Sequence, residues 1–225
     1  MRIKLLTGIM LVSTTVLSAE FSLLSGSEID TRSQSYSYIG SLVEQKMNSR
    51  GSLLGKAWID YLTYKFEQGS VEVEAEAPAF QLSAGYRYYF PGWSLTGWLG
   101  WERRDTSVSP DTGGIEVKGV EDSLLLQVEV DSWFNNGTNA SFITSYSSAT
   151  SYLWARGRLK KKALSENTRL GVELIGHGNE DYRAVQTGVI GEYYTNRFSA
   201  GLRGGYKNSS KGNSLYVGFE VYLGF

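Results

Sequence analysis

The groups in this chain best equipped for chemistry are one histidine and a set of aromatic and charged residues spaced two apart. His177 stands in Gly176-His177-Gly178-Asn179-Glu180-Asp181, so two carboxylates follow it closely. A histidine near an acid is the raw material of a general base, but catalysis also needs a nucleophile within hydrogen-bond reach. The flanking glycines predict a loop tip, where a lone histidine is usually just solvated. With one His and no Cys the chain lacks the ligand set of a zinc site. Asp105, Asp111 and Glu116 do not follow the spacing of an EF-type calcium loop. No catalytic residue, metal or cofactor is assigned on these grounds.

The second set is richer. Trp98, Tyr152, Trp154, Tyr182, Tyr216 and Tyr222 fall on one parity of their segments, beside Arg156, Arg158 and Arg183. Sugar rings stack on aromatic faces, while Arg, Glu and Asn bond hydroxyls in a fork. Such a lining suits a polysaccharide path. The bland alternative is that some of these residues belong to a membrane-interface girdle and that local parity is off by one. Opposite charges such as Arg156, Arg158, Glu173 and Glu220 then simply pair across a filled interior.

Parity has meaning only if the segments are strands. In the last eleven residues, Leu215, Val217, Phe219, Val221, Leu223 and Phe225 alternate with Tyr216, Gly218, Glu220, Tyr222 and Gly224. Side chains of a strand point to opposite faces with a period of two, so one face is wholly apolar and the other polar or small. The same pattern recurs along the chain, and helical spacing is sustained nowhere after residue 19. It predicts twelve strands, near 20–27, 35–45, 54–67, 78–90, 93–104, 117–131, 138–148, 151–161, 167–177, 182–194, 197–207 and 213–225. Greasy outside and polar inside is the signature of an all-β, single antiparallel transmembrane β-barrel of the outer-membrane type. A ten-stranded barrel that leaves the first segment outside stays open. The polar stretches 68–77 and 105–116 are expected to be long outer loops, facing short turns on the periplasmic side.

Residues 1–19 have the parts of an export signal. Arg2 and Lys4 precede a mostly apolar run, and Leu17-Ser18-Ala19 offers a small residue for cleavage. Residues 20–225 then form the barrel in the outer membrane, with its lipid as one partner. Without Arg2 and Lys4, 20 of the 22 basic residues remain against 23 acidic ones. That balance leaves no basic field to hold nucleic acid. The 15 Tyr, 9 Phe and 6 Trp are enough to furnish two interfacial girdles. An exported chain with no cysteine must be held by closed hydrogen bonding or by a core, not by disulfides.

Three segments resemble the BcsS family of bacterial cellulose biosynthesis. They are Trp101-Glu102-Arg103-Arg104-Asp105 running to Ser109-Pro110-Asp111, then Ser145-Tyr146-Ser147 through Trp154-Ala155-Arg156, then Gly178-Asn179-Glu180-Asp181-Tyr182-Arg183-Ala184. Tyr61-Leu62-Thr63-Tyr64 with Ala77-Pro78 is also similar. The resemblance implies a non-enzymatic accessory of cellulose secretion, with the polysaccharide and other secretion components as partners. Its motif residues fall here on Ser109, Pro110, Asp111, Trp154, Arg156, Asn179, Asp181, Tyr182 and Arg183. These, with Arg158 and Trp98, are the candidates for glucan binding or partner docking. Turn capping is an equally simple task for the Asn and Asp among them. Two other readings stay open: a lipid- or peptide-cleaving barrel centred on His177, and a plugged structural or adhesive barrel.

Overall fold

The alternation of apolar and polar residues folds as it reads. The computed structural model describes residues 19–111 and 118–225; residues 1–18, which hold most of the expected export signal, lie outside them. Among the described residues twelve strands run in order: β1 (Glu20–Asp30), β2 (Ser35–Lys46), β3 (Gly51–Gln68), β4 (Val71–Phe90), β5 (Trp93–Ser109), β6 (Gly119–Trp133), β7 (Thr138–Ser147), β8 (Tyr152–Lys162), β9 (Thr168–Gly178), β10 (Arg183–Tyr194), β11 (Phe198–Ser209) and β12 (Gly212–Gly224). Each pairs antiparallel with its sequence neighbours, and β1 pairs with β12 from Ser22↔Gly224 to Asp30↔Tyr216. The first segment therefore closes the wall, and the ten-stranded alternative is set aside. Closure leaves no unpaired edge, which is what a lipid-embedded sheet requires.

The outer face carries the apolar parity: Leu215, Val217, Phe219, Leu170, Val172 and Leu174 are all exposed. Aromatics border this band. Phe90 stacks on Trp93 at 3.9 Å and Phe21 meets Phe225 at the end where both termini lie. Trp101 and Phe80 meet edge-on at the other. Trp93 and Trp101 stand eight residues apart on β5. Allowing for strand tilt that is about 20 Å of height, close to the roughly 25 Å apolar band of such barrels.

Two expected loops are corrected. Residues 68–77 are not a loop: β3 runs through Gln68 and β4 begins at Val71, so a hairpin projects beyond the band. Likewise β5 continues to Ser109, while residues 112–117 of the other expected loop lie outside the described residues. Among the links whose residues are all described, those at the two ends are similar in length, as 91–92 against 69–70 and 163–167 against 179–182 show. What distinguishes the ends is strand extension. In this extension the polarity of the alternation is swapped. Val73, Ala75 and Ala77 point inward and are buried, whereas Glu72, Glu74 and Glu76 point outward and are exposed. The strand period is unbroken; only the outer solvent has changed, from lipid to water.

Inside, large rings lie over glycines of the next strand. A Cβ on Gly40 would stand 2.0 Å from the Trp58 ring, and one on Gly85 2.5 Å from the Trp98 ring. The Cβ on Gly85 would also stand 2.8 Å from the Gly97 carbonyl oxygen, which is backbone and cannot swing away. Gly85→Ala is therefore expected to cost roughly 1–3 kcal/mol by overpacking, read as a lower urea midpoint of the refolded barrel. An unchanged midpoint would show that Trp98 and the β5 backbone at Gly97 both give way.

Candidate functional site

At mid-height the lumen is crossed by ion pairs. Arg156 and Arg158 rise from β8, Glu173 from β9, Arg203 from β11, Tyr216 and Glu220 from β12, and Glu28 from β1. Strand alternation turns all of them inward. Arg158 Nη1 and Nη2 donate to the two oxygens of Glu220 at 2.6 and 2.9 Å, and its Nε donates to Glu173 at 2.9 Å. Arg156 donates to Glu220 at 2.7 Å. Arg203 pairs with Glu28 at 2.9 Å and reaches Glu173 at 3.4 Å, and the Tyr216 hydroxyl donates to Glu173 at 2.9 Å. The Glu173 side chain is 0% exposed and that of Arg158 is 6%. Because β8 and β12 are four strands apart around the wall, the bonds of Arg156 and Arg158 to Glu220 reach across the interior. On the other side Lys56 of β3 donates to Gln127 of β6 at 3.0 Å, between the rings of Trp58 and Trp98. Trp98 itself is buried and donates to Glu129 at 2.8 Å.

Below this lattice, toward the termini, lies a cavity of about 400 Å³. Trp133, Arg156, Arg158, Lys160, Arg169, Glu192, Tyr194 and Tyr222 are among the residues around it. The Arg169 guanidinium sits 4.5 Å from the Trp133 ring and 3.5 Å from that of Tyr194. Its Nη1 reaches Glu192 at 3.5 Å, and Lys160 donates to the same Glu192 at 2.9 Å. Buried Arg169 Nε has no hydrogen-bond acceptor. The sequence reading missed Trp133, because the expected strand stopped at residue 131. Carrying the inward parity of Glu129 and Asp131 one step further would have found it.

Toward the opposite mouth, Trp154 packs over Arg156 at 5.4 Å. His177 is not on a loop tip, since β9 runs on through Gly178. Its ring faces the lumen between Tyr152 and Tyr182, with centroids 6.0 and 5.7 Å away, and its Nδ1 is hydrogen-bonded to the Tyr152 hydroxyl. Of the flanking glycines, Gly176 has open space beside it, and a Cβ on Gly178 would stand 2.1 Å from the Tyr182 carbonyl oxygen. Asn179 caps the following turn: its Oδ1 accepts from the N–H groups of Asp181 and Tyr182 at 3.1 and 3.0 Å, and its amide donates to Thr150. Asp181 is exposed on that turn, and Asp111 is ion-paired with Lys118 beside the outer end of β5. Arg183 does not face the lumen. Ala184 is buried inward, so alternation places Arg183 on the outer face at the rim.

The expected residues thus do not converge on one site. Arg156 and Arg158 join the lattice, Trp98 the opposite wall, Trp154 and Tyr182 the mouth, and Asn179, Asp181 and Asp111 the turns.

The fold resembles solved outer-membrane barrels. The COG4313 outer membrane channel from Pseudomonas putida F1 aligns with TM-score 0.60 at 11% identity, covering 92% of this chain and 95% of that one. The KdgM porin gives 0.54 at 11%, covering 88% and 97%. LpxR from Salmonella typhimurium gives 0.52 at 11%, covering 90% and 99%. At such identity the likeness is one of fold, and it is that of a protein of the outer membrane. No curated protein matches the chain in sequence. The profile of the cellulose biosynthesis protein BcsS family matches residues 23–225, from β1 to the last residue, and the chain belongs to that family.

Proposed function

We propose that this barrel is a non-enzymatic accessory of cellulose production that holds glucan at the outer membrane and does not pass it through its lumen. The observation that carries the reading is the mid-height lattice, in which Arg156 and Arg158 of β8 are tied to Glu220 of β12, four strands away around the wall. A threaded polymer needs an uninterrupted bore, and these bonds stand across it. Family membership supplies the cellulose context. The aromatic and forked polar groups below the lattice supply the chemistry that grips a sugar ring. His177 Nδ1 is hydrogen-bonded to the Tyr152 hydroxyl, and the reading gives this histidine a structural role.

Deleting the coding sequence from a cellulose-forming host is expected to change either the amount of cellulose or its attachment to cells. Supplying the wild-type chain in trans should restore both. Unchanged cellulose output and unchanged attachment would overturn the proposal.

A further inference from the structure

We infer that the cavity on the terminal side of the lattice is a blind pocket for the free end of a neutral β-glucan chain, an inference that rests on the glucan-holding role proposed above. Its volume of about 400 Å³ lies near the lower end of small-ligand pockets, roughly 300–1,000 Å³. That is room for a few sugar rings and not for a long segment. Arg156 and Arg158 close it at mid-height, held there by Glu220. A polymer entering from the terminal side meets this wall and can enter only end first.

The lining selects for a neutral ligand. Arg156, Arg158 and Arg203 face Glu28, Glu173 and Glu220, three charges of each sign, and Lys160 and Arg169 share Glu192. Asp131 adds one more negative group to the wall. Cations matched in this way offer no excess field to an acidic polymer, but their donors and acceptors suit hydroxyl groups, which both give and accept hydrogen bonds. Trp133, Tyr194 and Tyr222 provide the ring faces. Arg169 Nε is a buried donor in the cavity wall with no protein acceptor. A buried donor without an acceptor is costly, and a sugar oxygen admitted by a small shift of Arg169 supplies one.

The test is titration calorimetry of the full-length barrel in detergent micelles with cellobiose, cellotriose and cellohexaose. It includes cellohexaose bearing a bulky fluorophore at one end or the other, and an oligogalacturonate as the acidic control. Affinity should rise to the trisaccharide and then level off. A label at one terminus should abolish binding, a label at the other should leave it intact, and the acidic control should not bind. Trp133→Ala, at the cavity rim, should weaken cellotriose binding by about tenfold, with unchanged heat-modifiable gel mobility as proof of folding. Affinity that climbs steadily to the hexaose and ignores both labels would overturn end capture and leave the glucan-holding role standing. Binding of the acidic control as tight as that of cellotriose would overturn the neutral assignment. Absence of binding by every oligosaccharide would overturn the pocket itself, while the deletion phenotype reports separately on the role.

Discussion

Glu173→Ala is expected to lower the stability of the folded barrel by about 3–5 kcal/mol, the range for removing one partner of a buried ion pair. Glu173 accepts from Arg158, Arg203 and Tyr216, and its side chain is fully buried. Without it, Arg156, Arg158 and Arg203 are left with only Glu28 and Glu220, so one buried positive charge has no counter-ion. The Tyr216 hydroxyl is orphaned as well. Glu173→Gln keeps an acceptor for Tyr216 and should fall between the alanine variant and wild type. Urea unfolding in lipid vesicles, followed by tryptophan fluorescence, measures the series. An exposed pair provides the control. Lys162 and Glu166 meet at the turn after β8, where Lys162 bonds the Glu166 carboxyl and holds it below the usual carboxylate range. Lys162→Ala should leave the midpoint where it was, because water screens that pair on every side. An alanine at 173 that behaves like one at 162 would mean the lattice is hydrated and loose.

This energetic centre was only half legible in the sequence. The alternation that predicts the strands also predicts that Arg158, Glu173 and Glu220 face inward, because inward and outward are properties of one strand. Which cation meets which carboxylate depends on closure. Arg158 and Glu220 are 62 residues apart and meet only because β1 seals against β12. The same limit explains the projecting hairpin. Glu72, Glu74 and Glu76 look like a loop when apolar residues are assumed to face out, since that assumption holds only where the outer solvent is lipid. Two flanking glycines predict a loop around His177, yet β9 runs through it. In a barrel interior glycine often makes room for a ring, as Gly40 does for Trp58 and Gly85 for Trp98. Composition around a residue is thus weaker guidance than the parity that runs through it. Arg169 illustrates the point from the other side: parity put it in the lumen, and only the fold puts Trp133 and Tyr194 around it.

The second large effect concerns conduction. In planar bilayers the refolded wild-type barrel is expected to carry no steady current, whereas the double variant Arg156→Ala/Glu220→Ala should open in resolvable steps. The pair is chosen so that charge is conserved. Removing Arg156 with Glu220 leaves Arg158 on Glu173, and Arg203 on Glu28 and Glu173. Every hydrogen bond between β8 and β12 disappears at the same time, since all three end on Glu220. Two long side chains shortened to methyl groups leave water in their place, and the wall bonds of β8 and β12 to their own neighbours are untouched. A barrel of twelve strands lies between the eight whose interiors are filled by side chains and the sixteen that leave an aqueous channel. Its conductance therefore depends on what its lumen residues do and not on strand number alone. Steady current through the wild-type barrel would sink the non-conducting reading, and block of that current by cello-oligosaccharides would turn the holding site into a conduit. A silent wild type with a conducting variant would instead identify the Arg156–Arg158–Glu220 cluster as the closure. The glucan end would then stop where the cavity ends, beneath two arginines.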